Sequence, residues 1–274
     1  MTTVRITTDL EFARVDDVCL TLDIYRPTSQ TKAVPVVLYL HGGGWQVGDK
    51  TDGAKERLTA LAERGIAIAS ANYRFVGQGL FPAQIHDTKA AVRWLRANGA
   101  THGLATDRIG IWGASAGAVL ASLTALTAGD SDFEGTVGDH PEQSSAVDVA
   151  VHWFGQTDLL ANSARSWLER DLLKPPFEAP LFGVDDLTTV REEARAASPL
   201  TRVHADAPPF LIAHGDRDRI TPASESVALH DALVRAGAES TLLMLGGAGH
   251  EGPEFDRPDH LSLTAAFLAA HLHT

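Results

Sequence analysis

The chain has 274 residues, 44% hydrophobic and 21% charged, enough to bury the core of one large α/β domain. Its formal charge of −12 sets it against nucleic acid, anionic lipid and polyanionic substrates, all of which it repels at long range.

At the start, Met1 to Glu11 lacks the apolar centre of a secretory leader, and no run of 18 apolar residues occurs anywhere. A cytoplasmic protein with no membrane contact is expected. Val4 to Phe12 and Val18 to Tyr25 are predicted as strands joined by a turn at Asp16 and Asp17, forming an antiparallel edge. The only cysteine, Cys19, lies in the second of these; it has no partner for an internal disulfide and is expected to be buried packing. Val34 to Leu40 is a near-continuous apolar run, the mark of a strand covered on both faces, and it leads into His41, Gly42, Gly43, Gly44 and Trp45. Asp52 to Arg64 is predicted as a helix stopped by Gly65, Ile66 to Ala71 as a buried strand, and Pro82 to Ala97 as an amphipathic helix closed by Asn98 and Gly99. Asp87 is placed in the first turn of that helix, serving the dipole or local hydrogen bonding.

Ile109 to Trp112 then meets Gly113, Ala114, Ser115, Ala116 and Gly117, and an alanine-rich helical pattern follows. This is strand, sharp turn, helix, with a serine at the apex. Side chains at the two glycines would strike the neighbouring strand and helix, and so tight a turn lifts the serine hydroxyl above the sheet edge. Val147 to Phe154, Pro209 to His214 and Ser240 to Leu245 are three further strands, with helices over Pro222 to Ala236 and His260 to His271. The alternation predicts a doubly wound, mostly parallel sheet in a single domain spanning 1–274. Residues 155–206 interrupt it with an insertion long enough to be a cap or lid. Trp153, Phe154, Trp167, Leu172, Leu173, Phe177, Leu181 and Phe182 either line an apolar pocket over Ser115 or pack the cap onto the body.

A nucleophilic serine needs a base to take its proton, an acid to orient the base, and donors for the developing oxyanion. His250 lies in a loop, Gly246, Gly247, Ala248 and Gly249, that leaves its imidazole free to face Ser115. The run His214, Gly215, Asp216, Arg217, Asp218 offers two acids: Asp216 suits a turn, whereas Asp218 sits further into the loop. Gly43, Gly44 and Ala116 are the candidate oxyanion donors, while His41 is expected to hold its loop by hydrogen bonding. Trp45 either walls the pocket or packs beneath it. Gly43, Gly48, Asp49, Lys50 and Thr51 approach a phosphate-binding loop, but Asp49 breaks the Gly-Lys-Thr run. With no His-Glu-x-x-His and one cysteine, neither a metal site nor a cofactor is expected.

His41-Gly-Gly-Gly-Trp45, Gly113-Ala-Ser-Ala-Gly117, His214-Gly-Asp-Arg-Asp218 and Gly247-Ala-Gly-His250 together resemble the α/β-hydrolase superfamily. The resemblance is to small esterases of its hormone-sensitive-lipase-like and bacterial feruloyl-esterase-like groups, and it runs from about Val18 to the C-terminus. It implies Ser115 as nucleophile, Asp218 as acid, His250 as base, and Gly43, Gly44 and Ala116 as oxyanion hole. The implied activity is hydrolysis of small to medium, apolar or aryl carboxylic esters through an acyl-enzyme. Its partners are then a small-molecule ester and water, on a monomer or homodimer; from their places in the sequence, Trp45, Phe154 and Trp167 are expected to touch substrate. An arylformamidase-like amide hydrolase is the alternative, because it resembles the same His-Gly-Gly-x-Trp and triad pattern. A non-catalytic ligand-binding homologue fits less well, since all three triad residues are present. The chain departs from many relatives at Ala118, where they carry another glycine, and at Ala114, where an acidic residue is common, and the long N-terminal helical cap of larger relatives is not expected.

Overall fold

Strand β1 (Val4–Val15) pairs antiparallel with β2 (Val18–Pro27), and β2 pairs antiparallel with β4 (Ala67–Ala71). Every other pairing is parallel, joining β3 (Val34–Leu40), β5 (Leu104–Ala114), β6 (Val149–Trp153), β7 (Phe210–Gly215) and β8 (Ser240–Leu245). This is a computed structural model, which describes residues 3–30, 32–161 and 177–273. The strands form one eight-stranded sheet in the order β1-β2-β4-β3-β5-β6-β7-β8, an α/β-hydrolase fold.

The middle of the sheet is buried because its strands are apolar on both faces. β3, β4, β6 and β7 are buried at every residue, and β5 is from Ile109 onward. Along β3 the two-residue period sends Val36, Leu38 and Leu40 into one core and Val37 and Tyr39 into the other. The first core receives Val92 and Leu95 from α1 (Ala83–Asn98), Val119 and Leu123 from α2 (Ala116–Leu126), and Leu229 and Leu233 from α3 (Ala223–Ala236). The second receives Leu261 and Leu268 from α4 (Pro258–Leu272), with Leu58 and Leu61. Burying a leucine of this kind stabilises the fold by about 1.5–3 kcal/mol.

Three expectations change. The helix predicted over 52–64 is a π-turn, Ala54–Thr59, running into the single turn Ala60–Ala62. Its widened hydrogen bond, Leu58 N to Gly53 O at 3.0 Å, accompanies an inward Arg57, 3% exposed, that donates to Asp256 Oδ1 at 2.7 Å and to the Tyr39 hydroxyl at 2.8 Å. Cys19 is exposed, not buried: near the start of β2 the inward positions are Leu20, Leu22 and Ile24, and Cys19 faces out, its thiol 3.0 Å from Glu11 Oε2. Asp87 stands beyond the first turn of α1 and bonds Arg74 instead of the helix end. The cap expected over 155–206 contains, among its described residues, short helical turns Ala179–Phe182, Leu187–Val190 and Pro199–Arg202 and a short helix Arg191–Ala196. Ala179, Leu187 and Ala194 form a small core of their own there. Lys50 of the near-phosphate loop is a staple, 2.9 Å from both Asp9 Oδ1 and Asp23 Oδ1. Among the described residues no helix is long and apolar enough to cross a membrane.

A second buried charge cluster ties α1 to the turn after α2. Lys89 donates to Glu134 Oε1 at 2.8 Å, Arg93 to Glu134 Oε2 at 3.1 Å, and Ser145 adds its hydroxyl. Burial alone would raise the Glu134 carboxyl, but the Lys89 and Ser145 hydrogen bonds outweigh it and hold it below the usual range. A depressed carboxyl contributes stability above its unfolded value, and that contribution is lost as pH falls through its folded value. Glu134→Gln is therefore expected to lower the urea midpoint at pH 7 and to flatten its fall toward pH 3. An equally steep fall in the variant counts against this cluster as an acid-sensitive tie.

The topology also places the functional loops. From β3 the chain crosses to β4 on one side, and from β5 it crosses to β6 on the other, so the sheet order switches between β3 and β5. Carboxyl ends of parallel strands at such a switch open a crevice. The loops after β3, β5, β7 and β8 carry, in order, Gly43 and Gly44, Ser115, Asp218 and His250.

Candidate active site

β5 ends at Ala114 and α2 begins at Ala116, leaving Ser115 between them at φ 53° and ψ −120°. This conformation costs a non-glycine residue of order 1–3 kcal/mol and persists only where the surroundings over-determine it. Here they do. A Cβ at Gly113 would meet the carbonyl of Gly117, and one at Gly117 would meet the carbonyls of Leu40 and His41 at the end of β3. The serine N–H is fixed by the Trp153 carbonyl at 2.9 Å. The two glycines thus let strand, elbow and helix close up, and the serine absorbs the strain.

The structure brings Ser115, His250 and Asp218 together across three loops. His250 Nε2 is 2.9 Å from Ser115 Oγ, and His250 Nδ1 is 2.7 Å from Asp218 Oδ2. An ionised carboxylate only accepts, so Nδ1 carries the hydrogen and Nε2 presents its lone pair to the serine hydroxyl. Asp218 Oδ1 accepts from the N–H groups of Ile220 at 2.8 Å and Thr221 at 2.9 Å. Burial by itself would push the Asp218 carboxyl up; hydrogen bonds from His214 and His250 more than offset it and hold the group well below the usual carboxylate range. Asp216 goes elsewhere, accepting at 2.6 Å from Gly247 N and tying the β7 and β8 loops together. The residue after His250 is anchored too: Glu251, at φ 53°, lies 3.4 Å from Arg57 Nη1.

In the loop after β3, Gly43 (φ 105°) and Gly44 (φ 59°) take conformations that suit glycine. The Gly43 carbonyl accepts from Gln46 N at 3.1 Å and Val47 N at 3.2 Å, closing the loop through its C=O. A Cβ at Gly42 would be 3.3 Å from Ser115 Cβ, so this loop abuts the elbow. Ala116 opens α2, where the first N–H groups have no intrahelical acceptor. His41 is fully buried and stacked on Tyr73 at 4.6 Å; its Nδ1 donates to Gly42 O at 2.7 Å, and the Tyr73 hydroxyl donates to His41 O at 2.9 Å. Burial pushes the His41 ring down, so it is neutral and holds the loop.

Two expected substrate contacts are corrected. Trp45, at φ 58° and 1% exposed, is part of the main core below the loop. Phe154, at φ 41° and fully buried, supports His250 from beneath, with ring centroids 5.0 Å apart in a T-shaped contact, and packs on Phe255 at 4.4 Å. Trp153 continues that aromatic stack, and Leu181 lies in the core. Trp167 lies outside the described residues, as do Leu172 and Leu173. Among the described residues, Phe177 is a cap side chain placed against the Gly44 loop: its Cδ1 would be 2.7 Å from a Cβ at Gly44. Sequence reasoning missed His214, whose Nε2 lies 3.2 Å from Asp218 Oδ2, although it begins a motif already quoted.

The esterase LipQ of Mycobacterium tuberculosis is 33% identical over 79% of this chain and 50% of its own length. The esterase LipC of the same organism is 33% identical over 86% of this chain and 57% of its own. The chain therefore spans about half the length of these curated relatives. Among solved structures, a truncated carbohydrate esterase from gut microbiota superposes with a TM-score of 0.89 at 29% identity, covering 100% of this chain and 98% of that one. The model of the BD-FAE family matches residues 22–233, and the chain belongs to that family, within the α/β-hydrolase superfamily.

Proposed function

We propose that the protein is a serine carboxylesterase acting on small to medium esters with an apolar or aryl part, through an acyl-enzyme on Ser115. The observation that carries this is the continuous hydrogen-bond line from Asp218 through His250 to Ser115 Oγ, ending at a strained elbow. His250 Nε2 takes the hydroxyl proton as Ser115 Oγ attacks the ester carbonyl carbon. The N–H groups of Gly43, Gly44 and Ala116 receive the oxyanion, and Asp218 stabilises the imidazolium. The tetrahedral intermediate collapses, His250 returns the proton to the departing alcohol, and water, activated by the same ring, releases the acid. The esterase names of LipQ, LipC and the gut carbohydrate esterase support the reaction class. The aromatic ring of Phe177 against the Gly44 loop supports an apolar group on the substrate.

The test is steady-state hydrolysis of p-nitrophenyl esters from acetate to decanoate beside a formanilide, with a fluorophosphonate probe mapped by peptide mass spectrometry. Turnover of short or medium esters and stoichiometric labelling at Ser115 are expected. Preferential formanilide cleavage moves the reading to an amide hydrolase, and labelling elsewhere overturns Ser115 as nucleophile.

A further inference from the structure

Asp218 Oδ2 faces two imidazoles. His250 Nδ1 is 2.7 Å away, and His214 Nε2, from the end of β7, is 3.2 Å away on a fully buried ring. His214 Nε2 also lies 2.9 Å from Thr221 O. Both of these neighbours only accept, so Nε2 carries hydrogen and shares it between them. On the other side of the ring, Nδ1 is 2.6 Å from the hydroxyl of Ser226 in the first turn of α3; in the neutral ring that hydroxyl donates to Nδ1. The imidazole is thus held at both nitrogens, and one of them addresses the oxygen that the base uses.

We propose that His214 is a positioning residue for the acid: its Nε2–H shares Asp218 Oδ2 with His250, fixing where that oxygen stands and moderating how tightly it holds the base. The proposal rests on the Ser115–His250–Asp218 reading above. A ring placed merely to fill space between β7 and α3 has no need of an N–H on that oxygen. Two donors on one carboxylate oxygen divide its charge, so removing one leaves the other more tightly bound when it is protonated. Asp218 without its second donor also gains freedom to rotate about the two backbone N–H groups that hold Oδ1.

The other titratable groups around the ring are accounted for. His152 on β6 is bonded to Ser122 at 2.8 Å and Gly155 O at 3.1 Å, and burial pushes it down to about 4, so it stays neutral across the assay range. Glu225, beside Ser226, accepts from Thr157 N at 2.9 Å and Asp158 N at 2.8 Å. Asp216 is taken by Gly247 N.

The experiment measures kcat and KM for p-nitrophenyl butyrate from pH 5 to 9 in wild type, His214→Leu, His214→Gln, Ser226→Ala and Ser115→Ala, with thermal melts of each. His214→Leu is expected to lose about ten- to a hundredfold in kcat with KM nearly unchanged. The acid limb of its kcat/KM profile, which reports protonation of the base, is expected to move to higher pH by about half a unit or more. His214→Gln, which keeps a donor, recovers part of the kcat. Ser226→Ala moves the limb in the same direction by less. An unmoved limb, or one moved to lower pH, overturns the proposal even if kcat falls, because lost packing alone would lower kcat without that shift. If His214→Leu does not fold, Ser226→Ala decides by the same limb. Turnover retained by Ser115→Ala sinks the triad reading itself; an inactive Ser115→Ala beside wild-type His214 variants sinks only the role of His214.

Discussion

Asparagine at position 218 is expected to lower kcat for ester hydrolysis about ten-thousandfold while the chain stays folded. Asp218 Oδ1 holds the N–H groups of Ile220 and Thr221, so the asparagine must keep its carbonyl there or leave two backbone donors facing an NH2 group. Its amide nitrogen then stands where Oδ2 stood, 2.7 Å from His250 Nδ1. Two donors cannot bond each other. His250 is driven to the tautomer with hydrogen on Nε2, which points that hydrogen at Ser115 and leaves no lone pair to take the serine proton. On the proposed mechanism Ser115→Ala removes the nucleophile outright and is expected to cost roughly six orders of magnitude. Circular dichroism shows whether each variant is folded, and stopped-time assays with concentrated enzyme reach the residual rates. An Asp218→Asn enzyme within tenfold of wild type would dismiss the orienting role of that carboxylate.

Much of this site could be read from the sequence because its physics is local. Gly113 and Gly117 announce a turn that tolerates no side chain, and the fully apolar run Val34 to Leu40 announces a strand covered on both faces. What stayed hidden depended on direction. Trp45 and Phe154 both sit at positive φ, where the regular alternation of strand side chains ends, so proximity to a motif did not reveal that both turn into the core. Cys19 illustrates the reverse: the period set by Leu20, Leu22 and Ile24 already assigns it to the outer face, and hydrophobic character alone misled. The π-turn at Ala54–Thr59 goes with a long-range contact, the pairing of Arg57 with Asp256 on the far side of the chain, which no window of neighbouring residues contains. His214 was visible as a letter in a motif, but its bond to Asp218 forms only when the β7 loop folds back.

Asp87→Ala is expected to destabilise the protein by about 3–5 kcal/mol, because it strands a buried charge. Asp87 is fully buried and accepts from Arg74 three times over: from its backbone N at 2.9 Å, its Nε at 2.9 Å and its Nη2 at 2.7 Å. Without the carboxylate, the guanidinium keeps one bond, from Nη2 to Ala83 O at 3.2 Å, in a site where its side chain is 11% exposed. A helix-dipole role, by contrast, would be worth only about 0.3–1 kcal/mol. The melting temperature separates the two, since the larger loss lowers it by on the order of 10 °C in a chain of this size. The double variant Asp87→Leu with Arg74→Met, which removes both charges, is expected to recover most of that loss. Activity should fall further than stability alone explains. Arg74 follows Tyr73, whose hydroxyl holds the His41 carbonyl at 2.9 Å, so loosening this pair loosens the loop that carries Gly43 and Gly44. The expected signature at a temperature where the variant is fully folded is a lower kcat with little change in KM, as donors made in the transition state lose their aim. A folded Asp87→Ala with wild-type kcat would separate the ion pair from the Gly43 and Gly44 loop and leave it a purely structural tie.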